Sequence, residues 1–221
     1  MLMQKDYDYF QSKPYEKNKV KTIADLDAAM NNLKSVEAET RLKGAKRLSY
    51  HSRKELGGNC LPVREWFWKE NVRTELSLIC LNESHEKVLQ HLFITLTFIY
   101  ERYLVHPFWE AWHTKEDESA YTSWVLSVAE KSQQNSVEVK LRIARVFAFC
   151  GDSRAWDIYI EILPKKSANC DWALKDCKRY AKNSITENQR IVLIHVLEKI
   201  TEKGRNDFAS QAKIFLESLA I

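Results

Sequence analysis

Val139-Lys-Leu-Arg-Ile-Ala144-Arg-Val-Phe147-Ala-Phe-Cys150-Gly151-Asp152-Ser153-Arg-Ala155-Trp156-Asp-Ile158-Tyr-Ile-Glu-Ile-Leu163 is the stretch that decides the fold. Two helix-length segments meet at a single glycine. Val137–Cys150 carries apolar residues at helical spacing and ends at Gly151, the residue best able to take the left-handed backbone that stops a helix. Ser153–Leu163 resumes the pattern with Trp156, Ile158 and Leu163, and Pro164 ends it. Helices joined by so short a turn are antiparallel neighbours.

The same punctuation continues in both directions. Thr22 is placed to cap a helix to about Leu33, with Asp25 as the acidic third residue. Val36–Leu56 puts Leu42, Ala45, Ser49 and Leu56 on one stripe before Gly57-Gly58, and Leu61–Leu81 opens with Pro62 in its first turn. Ser84 caps Val88–Leu104, and Pro107 opens a short aromatic turn to His113. Glu118–Gln133, Asp171–Lys182, Glu187–Lys203 and Asn206–Leu219 complete the helical reading. No run alternates apolar and polar residues long enough to require a strand. Residues 1–20 lack periodicity and read as an arm, leaving 21–221 as a single helical domain.

Composition agrees with an all-α chain. A hydrophobic fraction of 45% with 29% charged and 11% aromatic residues describes a chain able to bury a core. Only 5 Gly and 4 Pro are present, too few for the turns of a β-sandwich or the phosphate loop of a dinucleotide fold. An odd 5 cysteines and no secretory apolar region in Met1–Phe10 point to reduced thiols and a cytoplasmic protein. Val88–Val105 is the most apolar run, but Gln90, His91, Glu101 and Arg102 are costly in lipid, so it reads as a buried core helix and no membrane partner is expected. The net charge of +4 is mild and suits an acidic protein or nucleic acid.

The join at Gly151 resembles the junction between successive HEAT repeats, where a V-R-x-x-A-x-x-A-L helix ends in G-D and a second amphipathic helix follows. On that resemblance Ala144 is the small residue at the helix crossing, Gly151 the helix stop and Asp152 the next N-cap. Arg190, Ile194 and Leu197 repeat the pattern 50 residues later, and Arg41, Ala45 and Leu48 repeat it 99 residues earlier. The resemblance implies an irregular α-α superhelix, a HEAT-like solenoid of antiparallel helix pairs; a compact helical bundle is the alternative that the residues alone leave open.

Catalytic signatures are missing. His106, Glu110 and His113 share a helical face, but His106 precedes Pro107 and falls off the helix, so a surface cap is expected rather than a zinc site. No C-x-x-C, G-x-S-x-G, Walker-type or dinucleotide glycine pattern occurs, so no metal, no cofactor and no enzymatic activity are expected. Basic faces are more informative. Lys43, Arg47 and Lys54, with His51 between them, lie opposite the apolar stripe of Val36–Leu56. Arg142 and Arg145 point away from Ala144, and Lys175, Lys178, Arg179 and Lys182 cover one side of their helix. These eight residues, Lys43, Arg47, Arg142, Arg145, Lys175, Lys178, Arg179 and Lys182, are the candidate partner-binding set. In a solenoid Lys43, Arg47, Arg142 and Arg145 would line one concave surface, extended by His195 and Lys199. Trp66 and Trp68 are two apart on one helix, so one of them is a candidate exposed anchor.

A non-enzymatic protein-binding module follows from these readings. Within that class a small cytosolic chain suits an immunity (antitoxin-type) protein that neutralises a toxin domain, with the positive charge arguing against a nuclease active site as the target. Trp172-Ala173-Leu174-Lys175-Asp176 also resembles a tryptophan-containing helix of the HEAT-like alkylpurine DNA glycosylases. That resemblance implies nucleic-acid binding, and no residue here matches the family's catalytic aspartate.

Overall fold

The computed structural model describes residues 13–53, 60–105, 115–132, 136–165, 168–180, 184–203 and 207–219. Among them are eleven helices and no strand, as the periodicity requires. They are α1 (Lys13–Leu33), α2 (Ala38–Arg53), α3 (Cys60–Trp68), α4 (Glu70–Asn82), α5 (Glu86–Val105), α6 (Lys115–Lys131), α7 (Val137–Phe149), α8 (Arg154–Ile162), α9 (Ala168–Tyr180), α10 (Glu187–Lys203) and α11 (Asp207–Leu219). The aromatic turn expected at 107–113 lies outside the described residues.

Two boundaries differ most from expectation. α1 starts at Lys13, so Thr22 is a buried interior residue rather than a cap, and the arm of residues 1–20 gives way to helix before it ends. The single helix expected at Leu61–Leu81 is two helices, because Lys69 is extended (φ −60°, ψ 131°) and α4 begins afresh after it. Two positions apart on α3, just before the break, the two tryptophans face different ways and serve different contacts. Trp66 donates its indole N–H to Asp27 of α1 at 2.7 Å, while Trp68 stacks on Tyr121 of α6.

The helices group into two compact units, 1–133 and 134–221, where the sequence suggested one domain. In the first unit α2 packs against α1 and α5, α3 lies against α1 and α4, and α6 covers α4 and α5. Leu26, Leu48, Phe67, Leu76, Leu89, Leu92 and Phe93 are fully buried there. Each such side chain stabilises the fold by about 1.5–3 kcal/mol relative to exposure. α5 is the core helix that the run Val88–Val105 predicts, and no described helix is long and apolar enough to cross a membrane.

A glycine sets the α1–α2 distance. A Cβ on Gly44 would stand 2.5 Å from the Ala29 carbonyl oxygen and 3.1 Å from the Leu33 nitrogen, so α2 lies against the bare backbone of α1. A carboxylate then ties α2 to the turn between α4 and α5. Glu83, 7% exposed, accepts Arg41 Nε at 2.7 Å, Arg41 Nη2 at 3.1 Å and the backbone N–H groups of Ser84 (3.0 Å) and His85 (2.8 Å). The side chain that accepts backbone N–H groups just ahead of α5 is thus Glu83, and not the expected Ser84. Burial raises its pKa, but Arg41 and the two N–H groups outweigh burial and hold it below the ordinary glutamate value.

In the second unit the deciding stretch folds as read. Ser136 Oγ accepts from Val139 N–H to cap α7. Gly151 takes φ 72°, Asp152 N–H reaches Phe147 O at 2.8 Å and Gly151 N–H reaches Ala148 O at 3.2 Å. That double bond pattern around a left-handed residue is the Schellman stop. The N-cap residue of α8 is Ser153 rather than the expected Asp152; Asp152 Oδ1, one residue earlier, accepts Arg154 N–H at 3.0 Å, and the Arg154 guanidinium holds the Asp152 carboxyl below its usual range. Ala144 is fully buried.

Alternate helices of this unit are neighbours: α7 packs on α8 and α9, α8 on α9 and α10, and α11 on α9 and α10. α7 and α9 run parallel, because their cross-pairs advance together. Glu138 accepts from Asn169 (2.8 Å), Arg142 covers Trp172, Arg145 meets Asp176 and Phe149 meets Tyr180 edge-on. Partners in such pairs are 30 or 31 residues apart between α7 and α9, 32 between α8 and α10 (Gln189 to Asp157) and 33 between α9 and α11 (Lys178 to Gln211). The 50-residue spacing read from the sequence instead places α7 on α10, a helix that neighbours α8 and α11.

Candidate functional site

The α7–α9 ladder gathers most of the candidate residues. On α9, Trp172, Lys175, Asp176 and Arg179 share one face by i, i+3, i+4 and i+7 spacing. The Arg142 guanidinium carbon lies 3.9 Å from the Trp172 ring centroid, and Trp172 is still 43% exposed. A guanidinium on an indole face at this distance is a cation–π contact that fixes both planes. Lys175 and Arg179 stand exposed on the same face, with the Arg179 guanidinium 5.6 Å from the Tyr180 ring.

Other candidates are committed inside the unit. Arg145 pairs with Asp176 at 3.6 Å, with side-chain exposures of 19% and 15%, and Lys178 donates to Gln211 of α11 at 2.7 Å. Both therefore brace helix pairs before they meet any partner. Lys182 lies outside the described residues. His195 pairs with Glu198 at 3.6 Å, and His195 and Lys199 sit on α10, which packs on α8 and α11. They do not extend the α7–α9 face.

In the first unit Lys43 is exposed, but Arg47 is a brace. It donates through Nε (2.8 Å) and Nη2 to Asp25 Oδ2, and buried His51 places Nε2 2.9 Å from the same oxygen. Arg47 chiefly, with His51, holds the Asp25 carboxyl below its usual range despite partial burial. Asp25 was expected in a capping box; it is instead the acceptor that joins α1 to α2. His51 belongs to this contact and not to a solvated basic face.

The expected Trp66/Trp68 anchor is also reassigned. Trp66 is 1% exposed, and Trp68 is stacked on Tyr121 at 5.3 Å, so neither stands free for a partner. Among the described residues Trp172 is the exposed tryptophan, and its place three residues before Lys175, on the basic side of α9, is the signal that could have found it. Among the described residues no cluster of three His, Cys, Asp or Glu could hold a metal ion, and His106, Glu110 and His113 lie outside them. Cys80, Cys170 and Cys177 are buried and unbridged, and burial pushes the Cys80 thiol up to about 12.

No protein-family model matches the chain, and no curated protein or solved structure matches it either. The face itself offers an indole plane, a stacked guanidinium and two further cations. Such groups recognise acidic and π-bearing surfaces.

Proposed function

We propose that the protein is a non-enzymatic protein-binding module that docks an acidic partner surface on the α7–α9 face. The observation that carries this reading is Trp172, 43% exposed and held flat by Arg142 at 3.9 Å. Rigid, partly exposed Trp and Arg side chains are the residues that dominate interface energetics. Lys175 and Arg179 supply a positive rim that steers an acidic partner.

The scaffold reading is a short α-α superhelix with HEAT-like turns. The parallel α7–α9 register, the contact of α8 with α10 and the Gly151-Asp152 stop support it. Its spacing of 30 to 33 residues is shorter than the roughly 40–47 of HEAT units, so the likeness is carried by the turn more than by the period. A small cytoplasmic binder of this kind fits an immunity protein that neutralises a toxin domain. The test is titration against the product of a neighbouring toxin-like reading frame. Trp172→Ala and Arg142→Ala should each weaken binding by about 2 kcal/mol, roughly thirtyfold, while Lys43→Ala leaves it unchanged. Wild-type affinity in both α9-face variants would overturn the assignment.

A second reading, nucleic-acid binding, is favoured by the same ring: an exposed indole beside cations stacks unpaired bases. Asp176, on the helix that resembles the glycosylases, is occupied by Arg145. Electrophoretic mobility shift at low salt decides it, since phosphate contacts are strongest there.

A further inference from the structure

The first unit contains a groove that the α7–α9 reading does not use. α4 and α6 leave between them an open groove of about 320 Å³ lined by Glu70, Arg73, Thr74, Ser77, Leu78 and Trp124. Its surroundings are aromatic. Trp68 stacks on Tyr121, Tyr121 meets Trp124 edge-on at 5.1 Å, and the Arg73 guanidinium carbon lies 5.4 Å from the Trp68 ring centroid. Ser77 Oγ accepts the Trp124 indole N–H at 2.7 Å and donates to the Arg73 carbonyl at 2.8 Å, so hydroxyl and indole are both satisfied.

The Arg73 side chain is not. Its Nε is buried, and among the described residues no hydrogen bond or ion pair reaches the guanidinium. A buried guanidinium N–H without an acceptor is uncommon and calls for one supplied from outside the chain. The Trp68 ring restrains the planar fork, the geometry that takes a carboxylate through two parallel bonds. Glu70, one turn earlier on α4, lines the same groove, is exposed and forms no ion pair with Arg73. A simple anion would meet Glu70 repulsion, and a simple cation would meet Arg73. A ligand with both charged groups on one carbon meets neither, and Leu78, 56% exposed, with the Trp124 ring offers its apolar part a surface.

We propose that this groove binds a zwitterionic α-amino acid with an apolar side chain, its carboxylate on Arg73, its ammonium on Glu70 and its side chain against Leu78 and Trp124. The full chain is titrated with leucine, isocaproate and isopentylamine while the Trp124 indole resonance is followed by nuclear magnetic resonance. Leucine should shift that resonance saturably and bind more tightly than either single-charge analogue. Arg73→Gln should weaken leucine about tenfold or more, as loss of a charge-assisted pair does. Arg73→Lys keeps the charge but loses the fork, should also weaken binding, and serves if the glutamine variant does not fold. Glu70→Gln should remove the preference for leucine over isocaproate. The proposal is overturned by a Trp124 resonance that leucine leaves unmoved, by undiminished binding in a folded Arg73 variant, or by analogues that bind as tightly as leucine.

Discussion

Replacing Gly44 by alanine tests the α1–α2 crossing through the sign of the effect. In an exposed helix interior, alanine is more favourable than glycine by about 0.8–1.0 kcal/mol. At Gly44 the added methyl would stand 2.5 Å from the Ala29 carbonyl oxygen and 3.0 Å from Asn32 Cβ. The oxygen belongs to helix backbone, so relief requires α1 and α2 to move apart along their whole contact. Overpacking of this kind costs about 1–3 kcal/mol, enough to cancel the propensity gain and exceed it. Gly44→Ala is therefore expected to destabilise the first unit by about 1–2 kcal/mol, and Gly44→Val by more. The reference is Lys46, exposed on the same helix: there Lys46→Ala should be more stable than Lys46→Gly by about 1 kcal/mol. Urea unfolding followed by circular dichroism gives both comparisons, with the midpoint and slope read separately for each transition. A Gly44→Ala protein as much stabilised as the Lys46 pair predicts would refute the close approach.

Other substitutions probe the clamp and the turn. Glu83→Gln should cost about 2–4 kcal/mol, because it leaves the Arg41 guanidinium without its carboxylate in a mostly buried site. Since the folded Glu83 pKa is depressed, its contribution is fully present above the ordinary glutamate value of about 4.3 and disappears as pH falls through the folded value. Thermal melts from pH 7 to pH 3 should accordingly converge for wild type and Glu83→Gln at the acid end; a constant gap would contradict the linkage. Gly151→Ala should lose about 1–2 kcal/mol from its left-handed φ of 72°, visible in denaturant unfolding, and no change would mean the α7 stop is formed otherwise. Ala144→Trp should destabilise the second unit by more than about 3 kcal/mol, since the site is fully buried, and a melting temperature within a degree or so of wild type would rule out that packing.

Local signals in the sequence were read correctly where one residue acts on its own backbone. Gly151 and Asp152 act at the join of α7 and α8 through bonds to residues two to five positions away, so their spacing carries the message. The apolar stripes likewise place Leu48, Ala144 and Leu197 inward. What escaped depends on a neighbour distant in sequence. Gly44 reads as a mildly unfavourable helix residue until α1 is laid against it. Arg47, Arg145 and Lys178 look like solvated cations for the same reason: their partners, Asp25, Asp176 and Gln211, are 22 to 33 residues away. Trp172 was legible on the basic side of α9, but the ring that covers it comes from α7.

The four rungs between α7 and α9 are chemically unlike: amide to carboxylate, guanidinium to indole, guanidinium to carboxylate, and ring edge to ring. Sliding either helix by one turn would set every rung against a stranger, so the alignment has a single solution and behaves like a keyed joint. Residues inserted between α8 and α9 would then be extruded as slack, leaving the Trp172 platform where it stands, and that stretch is where a graft or tag can enter without blunting the docking face.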